Sequence, residues 1–368
     1  MTNTNHAALF EPLKLGGIDV LNRVLMAPLT RNRAHPDGTP AEMAIEYYRQ
    51  RAGAGLIFTE ATQVSAMGKG YINTPGIYTD GHAAAWKKIT DAVHEAGGKI
   101  AIQLWHVGRI SHSSLLPNNA KPYAPSAIAA KSQTFIETGM VDVSEPQAIT
   151  VEEIKATVAE YRHAAELAKQ AGFDAIEIHS ANGYLIDQFI RDGSNKRTDE
   201  YGGPIENRIR FLKEVTEAVL EVWPADKVGF RLSPTGGFND MSDSDPAATF
   251  SAVAKAMNAY GLAFLHMVEE FPGEESSAED QAVNKAVREA WTGAYIANGG
   301  FDAAKADAAV ASGAADAVAF GRPFISNPDL PKRIAKGASL TEPDQTTFYG
   351  GDGKCYTDYP TLEQEAAA

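Results

Sequence analysis

Short runs rich in β-branched and apolar residues recur along the chain. Each is followed by a turn and then by a segment whose apolar positions keep helical spacing. Eight runs read as strands: Val24–Ala27, Leu56–Thr59, Ile100–Leu104, Ala175–His179, Val228–Leu232, Ala263–Val268, Ala294–Ala297 and Ala317–Phe320. The intervening helices carry their own start and stop signals. Thr150-Val151-Glu152-Glu153 spells a capping box ahead of a face made by Ile154, Val158, Tyr161 and Ala165, and Gly172 ends it. Asp302 and Gly313 bracket another helix, and Asn327-Pro328 is expected to start the next. Strands alternating with helices imply a parallel sheet, and eight such units close into a (β/α)8 TIM barrel. An open doubly wound sheet competes, but no first strand leads into a dinucleotide fingerprint. Phe10–Val20, with Gly16-Gly17 between short apolar pieces, is expected to form an N-terminal β-hairpin that caps the barrel floor. Two connections exceed ordinary loop length: Val107–Thr150 after the third strand and Glu269–Ala290 after the sixth. Long loops of this kind build the mouth of a barrel's site. Residues 1–368 therefore read as one barrel domain.

Strand alternation assigns side chains to faces. In Ile100-Ala101-Ile102-Gln103-Leu104 the large aliphatics share one parity and face the helices, so Ala101 and Gln103 face inward. By the same rule Glu177 and His179 face inward on the fourth strand, and Gly229 and Arg231 on the fifth. Gln103, His179 and Arg231 thus stand at the C-terminal strand ends, where barrel enzymes place their chemistry. One such residue is as well explained by a buried partner as by a ligand. Three converging favour a ligand, because an unpaired buried polar group costs about 1–3 kcal/mol. Arg231 adds a fixed positive charge, which suits an anionic or electron-rich ligand.

After the seventh strand comes Asn298-Gly299-Gly300-Phe301, and after the eighth Gly321-Arg322-Pro323. Glycine lets backbone N–H groups approach an anion, helix N-termini favour negative charge, and these two loops are the usual phosphate site of a barrel. Arg322 adds a guanidinium clamp. The pattern does not separate a cofactor phosphate from a substrate phosphate. Leaving the fourth strand, His179 and Asn182 can both donate to one acceptor oxygen, and Tyr184 brings a phenol acid beside it. The bland reading is a helix start with a core histidine. A metal site is disfavoured, since no second ligand stands at the right spacing from His179 and Asp187 falls too late. A lyase or isomerase would want a Schiff-base lysine or a carboxylate at these strand ends, and neither is there.

Composition narrows the classes further. The chain has 368 residues, 44% hydrophobic and 22% charged, with a net charge of −14. Such a surface repels nucleic acid and anionic membranes. Cys355 is the single cysteine, so an intrachain disulfide and a cysteine-only metal site are excluded. No window approaches the roughly 20 apolar residues of a membrane span. Met1–Phe10 has neither the basic nor the apolar region of a signal peptide. A cytoplasmic protein is expected, monomeric or weakly self-associating.

These residues resemble the Old Yellow Enzyme family of FMN-dependent ene-reductases, most closely its bacterial N-ethylmaleimide and nitrate-ester reductase branch. The resemblance covers nearly the whole chain. It rests on Met26-Ala27-Pro28-Leu29-Thr30-Arg31, on Gln103 through Arg109, and on the run from His179 through Gly203 that includes Asn195-Lys196-Arg197-Thr198-Asp199-Glu200-Tyr201. Glu206-Asn207-Arg208, Phe320-Gly321-Arg322-Pro323 and Tyr356-Thr357-Asp358-Tyr359-Pro360 add to it. It implies non-covalent FMN, with NAD(P)H as a transient reductant that needs no fingerprint of its own. It implies that Pro28, Leu29 and Thr30 lie against the flavin ring, Ala61 meets its edge, Gln103 bonds its pyrimidine side and Arg231 steadies the reduced form. Asn298, Gly299, Gly300, Gly321 and Arg322 would hold the phosphate, with Tyr349 close to the ring. Tyr71 and Trp105 would line the substrate pocket, and His179 with Asn182 would grip the oxygen of an electrophilic alkene. Such alkenes are α,β-unsaturated carbonyl, imide or nitro compounds. Hydride would pass from flavin N5 to the β-carbon, and Tyr184 would protonate the α-carbon. The donor pair here is His/Asn where the nitrate-ester branch often has His/His, so His179 alone could make oxygen binding pH-dependent. The segment with Glu269, Glu270, Glu274, Glu275, Glu279 and Asp280 departs most from the family, and is expected to be a solvated acidic loop.

Overall fold

The computed structural model describes residues 6–271 and 273–367. The start of the Met1–Phe10 stretch and Pro272 of the acidic segment lie outside them. Eight parallel strands form a closed ring: β1 (Val24–Met26), β2 (Ile57–Phe58), β3 (Ile100–Trp105), β4 (Ala175–His179), β5 (Val228–Leu232), β6 (Phe264–Val268), β7 (Ala294–Asn298) and β8 (Ala317–Phe320). β8 pairs with β1, and β3 with β4, so the ring has no open edge. The second strand breaks at Thr59–Ala61 and resumes as Thr62–Gln63 against the upper end of β3. The eight expected strands are these eight, with ends that differ by a residue or so.

Eight principal helices wrap the ring: α1 (Met43–Arg49), α2 (Asp80–Glu95), α3 (Val151–Gln170), α4 (Arg210–Leu220), α5 (Pro246–Met257), α6 (Ala278–Ala290), α7 (Ala303–Ala311) and α8 (Leu330–Lys336). The Thr150–Glu153 capping box is made in both directions, at 3.2 Å and 2.8 Å. Such a cap is worth about 0.5–2 kcal/mol. Asp302 caps α7 by accepting from the Lys305 N–H at 2.7 Å. The expected start at Asn327-Pro328 is displaced, since α8 begins only at Leu330. The Asn327 side chain is committed elsewhere, exchanging two hydrogen bonds with the Thr341 backbone at 3.0 and 2.8 Å. The Glu269–Ala290 loop is also corrected. Its second half is α6, opened by a Ser277–Asp280 capping box, and only the stretch to Ser277 is loop.

The two faces of the ring follow the alternation. Ile100, Ile102, Leu104, Ile176, Ile178, Val228 and Phe230 pack outward against the helices in the main core. Leu25, Phe58, Ala101, Phe264, Ile296 and Ala319 fill the lumen in a second cluster. The N-terminal hairpin, Leu13–Leu15 paired with Ile18–Val20, drives Leu15, Ile18 and Val20 into that lumen from below. Its turn is locked to the floor, where the Gly17 N–H donates to the Asp226 carbonyl at 2.6 Å. Gly16 has φ 61, and a Cβ there would fall 2.4 Å from the same carbonyl oxygen, so a glycine is required. With the hairpin filling the floor, the large cavity lies at the C-terminal strand ends. Among the described residues no helix is long and apolar enough to cross a membrane.

Candidate active site

The open end holds a cavity of about 850 Å³. Pro28, Leu29 and Thr30, in the loop after β1, form part of its wall, as do Asn182, Arg231, Asn298, Gly299, Gly300, Gly321, Arg322 and Tyr349. The structure therefore brings together the three residues after β1, the guanidinium of β5 and the two glycine loops. Tyr349 is 63% exposed, at the rim. Its segment is strapped down from beneath: Arg31 donates to the Phe348 carbonyl at 2.9 Å, and Arg33 to those of Thr347 and Asp352 at 3.0 and 3.1 Å. Arg31 lies against the faces of Tyr47 and Tyr356, themselves stacked with ring centres 4.1 Å apart. The first and last of the family-like motifs thus meet in one clamp.

Ala61, Trp105 and Tyr184 belong to a neighbouring apolar cluster, with Tyr71 packed against it. The Tyr71 and Tyr184 hydroxyls are 3.2 Å apart, and the Tyr184 ring lies 4.9 Å from Trp105 and 5.1 Å from the His179 imidazole. His179 sits in register with Arg231 on the next strand, and Arg231 in turn with His266. That register sets His179 one strand away from Arg231, which lines the cavity, while His179 and Tyr184 lie behind its wall. Gln103 does not reach the cavity wall. It lies buried one layer down, its amide donating to Glu177 at 2.7 Å.

The turn after β4 is held by its neighbours. Asn182 has φ 59, a left-handed backbone that asparagine tolerates. Its N–H donates to Ser233 Oγ at 2.7 Å, and the Gly183 N–H donates to Asp187 at 2.8 Å. Asp187 is itself paired with Arg191 at 3.1 Å, both buried. Much of the His179–Gly203 motif is scaffolding of this kind. Asn195 donates to the Phe189 and Tyr201 carbonyls at 2.8 Å, and in the neighbouring Glu206-Asn207-Arg208 motif Arg208 pairs with Asp243 at 2.9 Å.

Burial sets the protonation states. The His179 imidazole is pushed well below its ordinary value by desolvation, with the Arg231 and His266 charges adding to it, so it stays neutral near pH 7. The Tyr184 phenol is pushed up to about 12, mainly by burial, and keeps its proton. Glu60, in the break of the second strand, is raised to about 7 by burial, although it accepts from the Arg31 N–H.

Several contributors escape the sequence reading. Phe238 and Phe271 flank the cavity with rings 5.6 Å apart. Asn239 ties three loops together, accepting from Ser132 at 2.9 Å and donating to the Asn182 carbonyl at 2.8 Å. His266 is the inward residue of β6, and the alternation rule applied to that strand would have found it. The acidic segment is not simply solvated. Glu269 is half-buried and its carboxyl is raised by desolvation, while Glu270 and Glu274 line the cavity. The Glu270 backbone crosses so close to Gly299, φ 102, that a Cβ there would lie 2.2 Å from its carbonyl oxygen. The glycine pair is thus needed by the fold as well as available to an anion. Asp302 already caps α7 with its own carboxylate, which leaves the glycine amides and Arg322 as the anion-seeking groups. The Asn298 side chain is occupied, accepting from Arg231 at 2.7 Å and donating to the Ala319 carbonyl at 2.8 Å.

Buried polar atoms here without a partner include His179 Nδ1, Asn182 Oδ1, Arg231 Nε, Trp105 Nε1 and His266 Nε2. Buried polar atoms are normally satisfied, so these are fit for a polar ligand. A flat apolar wall at Pro28–Leu29, a guanidinium, and a glycine–arginine end together suit the ring and phosphate of FMN. Among the described residues no cluster suited to a metal ion exists.

The comparisons with known proteins agree. Residues 8–341 match the model of the NADH:flavin oxidoreductase / NADH oxidase family. The chain is 42% identical to putative 12-oxophytodienoate reductase 11 of Oryza sativa subsp. japonica, over 98% of this chain and 99% of that protein. Among solved structures, morphinone reductase superposes with a TM-score of 0.93 at 46% identity, covering 99% of this chain and 98% of that one. The Old Yellow Enzyme homologue from Zymomonas mobilis gives 0.93 at 44%, covering 96% and 99%. The chain thus belongs to the NADH:flavin oxidoreductase / NADH oxidase family, as an FMN-dependent, NAD(P)H-using ene-reductase of the Old Yellow Enzyme kind.

Proposed function

We propose that His179 and Asn182 hold the activating oxygen of an electron-poor alkene and that Tyr184 delivers the proton that completes its reduction. When bound, FMN supplies the hydride chemistry that links the nicotinamide to the β-carbon. Two donors on one oxygen draw electron density from the conjugated double bond and stabilise the charge that develops on it. The neutral imidazole offers a single N–H for this. Tyr184 stands beside that pair with its proton retained, and Tyr71 supports it from behind. Arg231 would face the electron-rich ring, and Gly299, Gly300, Gly321 and Arg322 the phosphate. Pro28, Leu29, Thr30, Ala61, Gln103, Asn298 and Tyr349 would shape the rest of the cofactor's bed, while Tyr71 and Trp105 would wall the substrate side. The observation that carries this reading is the buried, partnerless His179 Nδ1 with the Tyr184 ring 5.1 Å from its imidazole and Asn182 on the cavity wall. The test is anaerobic: NAD(P)H followed by 2-cyclohexenone in deuterated water. Enone-dependent turnover with solvent deuterium at the α-carbon is expected, and a yellow protein without enone-dependent turnover overturns it.

Two further outcomes are expected. Arg322 is exposed and has no ion pair among the described residues, so Arg322→Ala should leave folding intact. It should weaken FMN binding about tenfold or more, as expected for a lost hydrogen bond to a charged group. Dialysis with the absorbance retained at parent level counts against the phosphate assignment. His179→Ala should weaken phenol binding by a similar factor in a spectral titration. Because burial depresses the imidazole pKa, protonation should enter only on the acid side, and the parent's phenol affinity should stay flat between about pH 6 and 8. An inflection near 6.5 would identify the imidazolium as the binding form.

A further inference from the structure

One charged group in the barrel plays no part in the proposed reaction. Glu177 is wholly buried in the lumen, and so is His266. Glu177 Oε1 accepts from the Gln103 amide at 2.7 Å, and Oε2 meets His266 Nδ1 at 2.7 Å. Register sets Glu177 beside Gln103 of β3 and Gly229 of β5, one inward layer below Arg231. The charged or titratable groups that act on this layer are His266, Arg231 and His179. The Phe58 ring lies 5.1 Å from the His266 ring, and Thr59 Oγ1 accepts from the Gln103 backbone N–H at 3.2 Å. A buried carboxylate pays several kcal/mol in lost hydration unless donors and an opposing charge compensate it. Here the Gln103 amide and His266 Nδ1 each stand at 2.7 Å, and Arg231 stands one layer above.

We propose that Glu177 is a positioning residue of the cofactor site, which orients the Gln103 amide and offsets part of the Arg231 charge. The inference rests on the FMN reading. With one N–H committed to Glu177, the Gln103 amide is fixed in orientation and has its carbonyl oxygen and its second N–H left to offer. That oxygen suits the imide N–H of a flavin, and the second N–H suits a carbonyl beside it. The second effect is electrostatic. Arg231 alone would favour electron-rich reduced FMN strongly enough to blunt its reducing power. A carboxylate one layer below weakens that field without touching the ring.

The test is the midpoint potential of the holoenzyme. Glu177→Gln removes the charge and keeps the shape. It should shift the equilibrium about tenfold toward reduced flavin, roughly 30 mV upward for a two-electron couple. Glu177→Asp keeps the charge but retracts it by one methylene. It should leave the potential at the parent value while FMN binds about tenfold more weakly, as a lost charge-assisted hydrogen bond allows. An unshifted potential in Glu177→Gln, or equal shifts in both variants, overturns the proposal. Should Glu177→Gln not fold, infrared difference spectra of the parent on reduction supply the readout. A moving ionised-carboxylate band that alters in Glu177→Asp is expected, and its absence overturns the proposal. A parent chain that takes up no FMN defeats the cofactor reading itself. A yellow, active parent with an unmoved variant defeats only this inference.

Discussion

Tyr184→Phe is expected to slow alkene reduction by about 10²–10⁴-fold, the range for loss of a positioned general acid. Reduction of the enzyme by NAD(P)H should be largely retained. The asymmetry comes from the single group that the substitution removes. The ring stays, with its edge-on contacts to Trp105 and His179 at 4.9 and 5.1 Å, so the alcove keeps its shape. Only the hydroxyl is lost, and with it the proton that burial holds in place up to a pKa of about 12. Tyr71 remains, but its oxygen lies 3.2 Å behind the vanished one and is not placed to substitute for it. Stopped-flow measurement of each half-reaction separates the two effects. Equal loss in both would assign Tyr184 a structural role.

Arg191→Met should cost about 3–5 kcal/mol of stability, the penalty for leaving one member of a buried ion pair alone. Arg191 donates to Asp187 at 3.1 Å and to the Ser233 carbonyl, and both ionic side chains are almost wholly buried. Asp187 then faces desolvation, which already raises its pKa, without the cation that opposes it. The same carboxylate holds the Gly183 N–H, so the turn carrying Asn182 should loosen and phenol affinity should fall with stability. Denaturant unfolding of the single variant and of Arg191→Met/Asp187→Asn gives the check. The double variant should recover part of the loss, since it buries no orphan charge. A double variant as unstable as the sum of the two singles would show that the pair is not coupled.

Legibility in the sequence depended on the kind of backbone that carries each residue. Gln103, His179 and Arg231 stood on strands, where a period of two fixes the face, and all three lie on the inward side. The glycine loops were legible because strand order alone locates the turns beyond β7 and β8. His266 obeys the same period, and as the one polar residue of Phe264–Val268 it was open to the same rule. Phe238, Asn239, Phe271 and Glu270 ride on loops whose paths depend on distant partners such as Arg109, which donates to the Asp240 carbonyl at 2.9 Å. No local pattern encodes such a path. Asn327 illustrates the converse. Its sequence reads as a helix cap, yet a tertiary partner at Thr341 claims the side chain first.

The ring closes between β8 and β1, where Val318 lies opposite Val24. A ribosome delivers the chain from its N-terminus, so residues near position 24 must wait through most of translation before their neighbour exists. Until then β1 and the hairpin that plugs the floor have only part of their seat. Sheet pairings this remote in sequence form slowly. The ring therefore cannot seal before β8 has emerged, and until then β1 is without the strand that flanks it in the finished barrel.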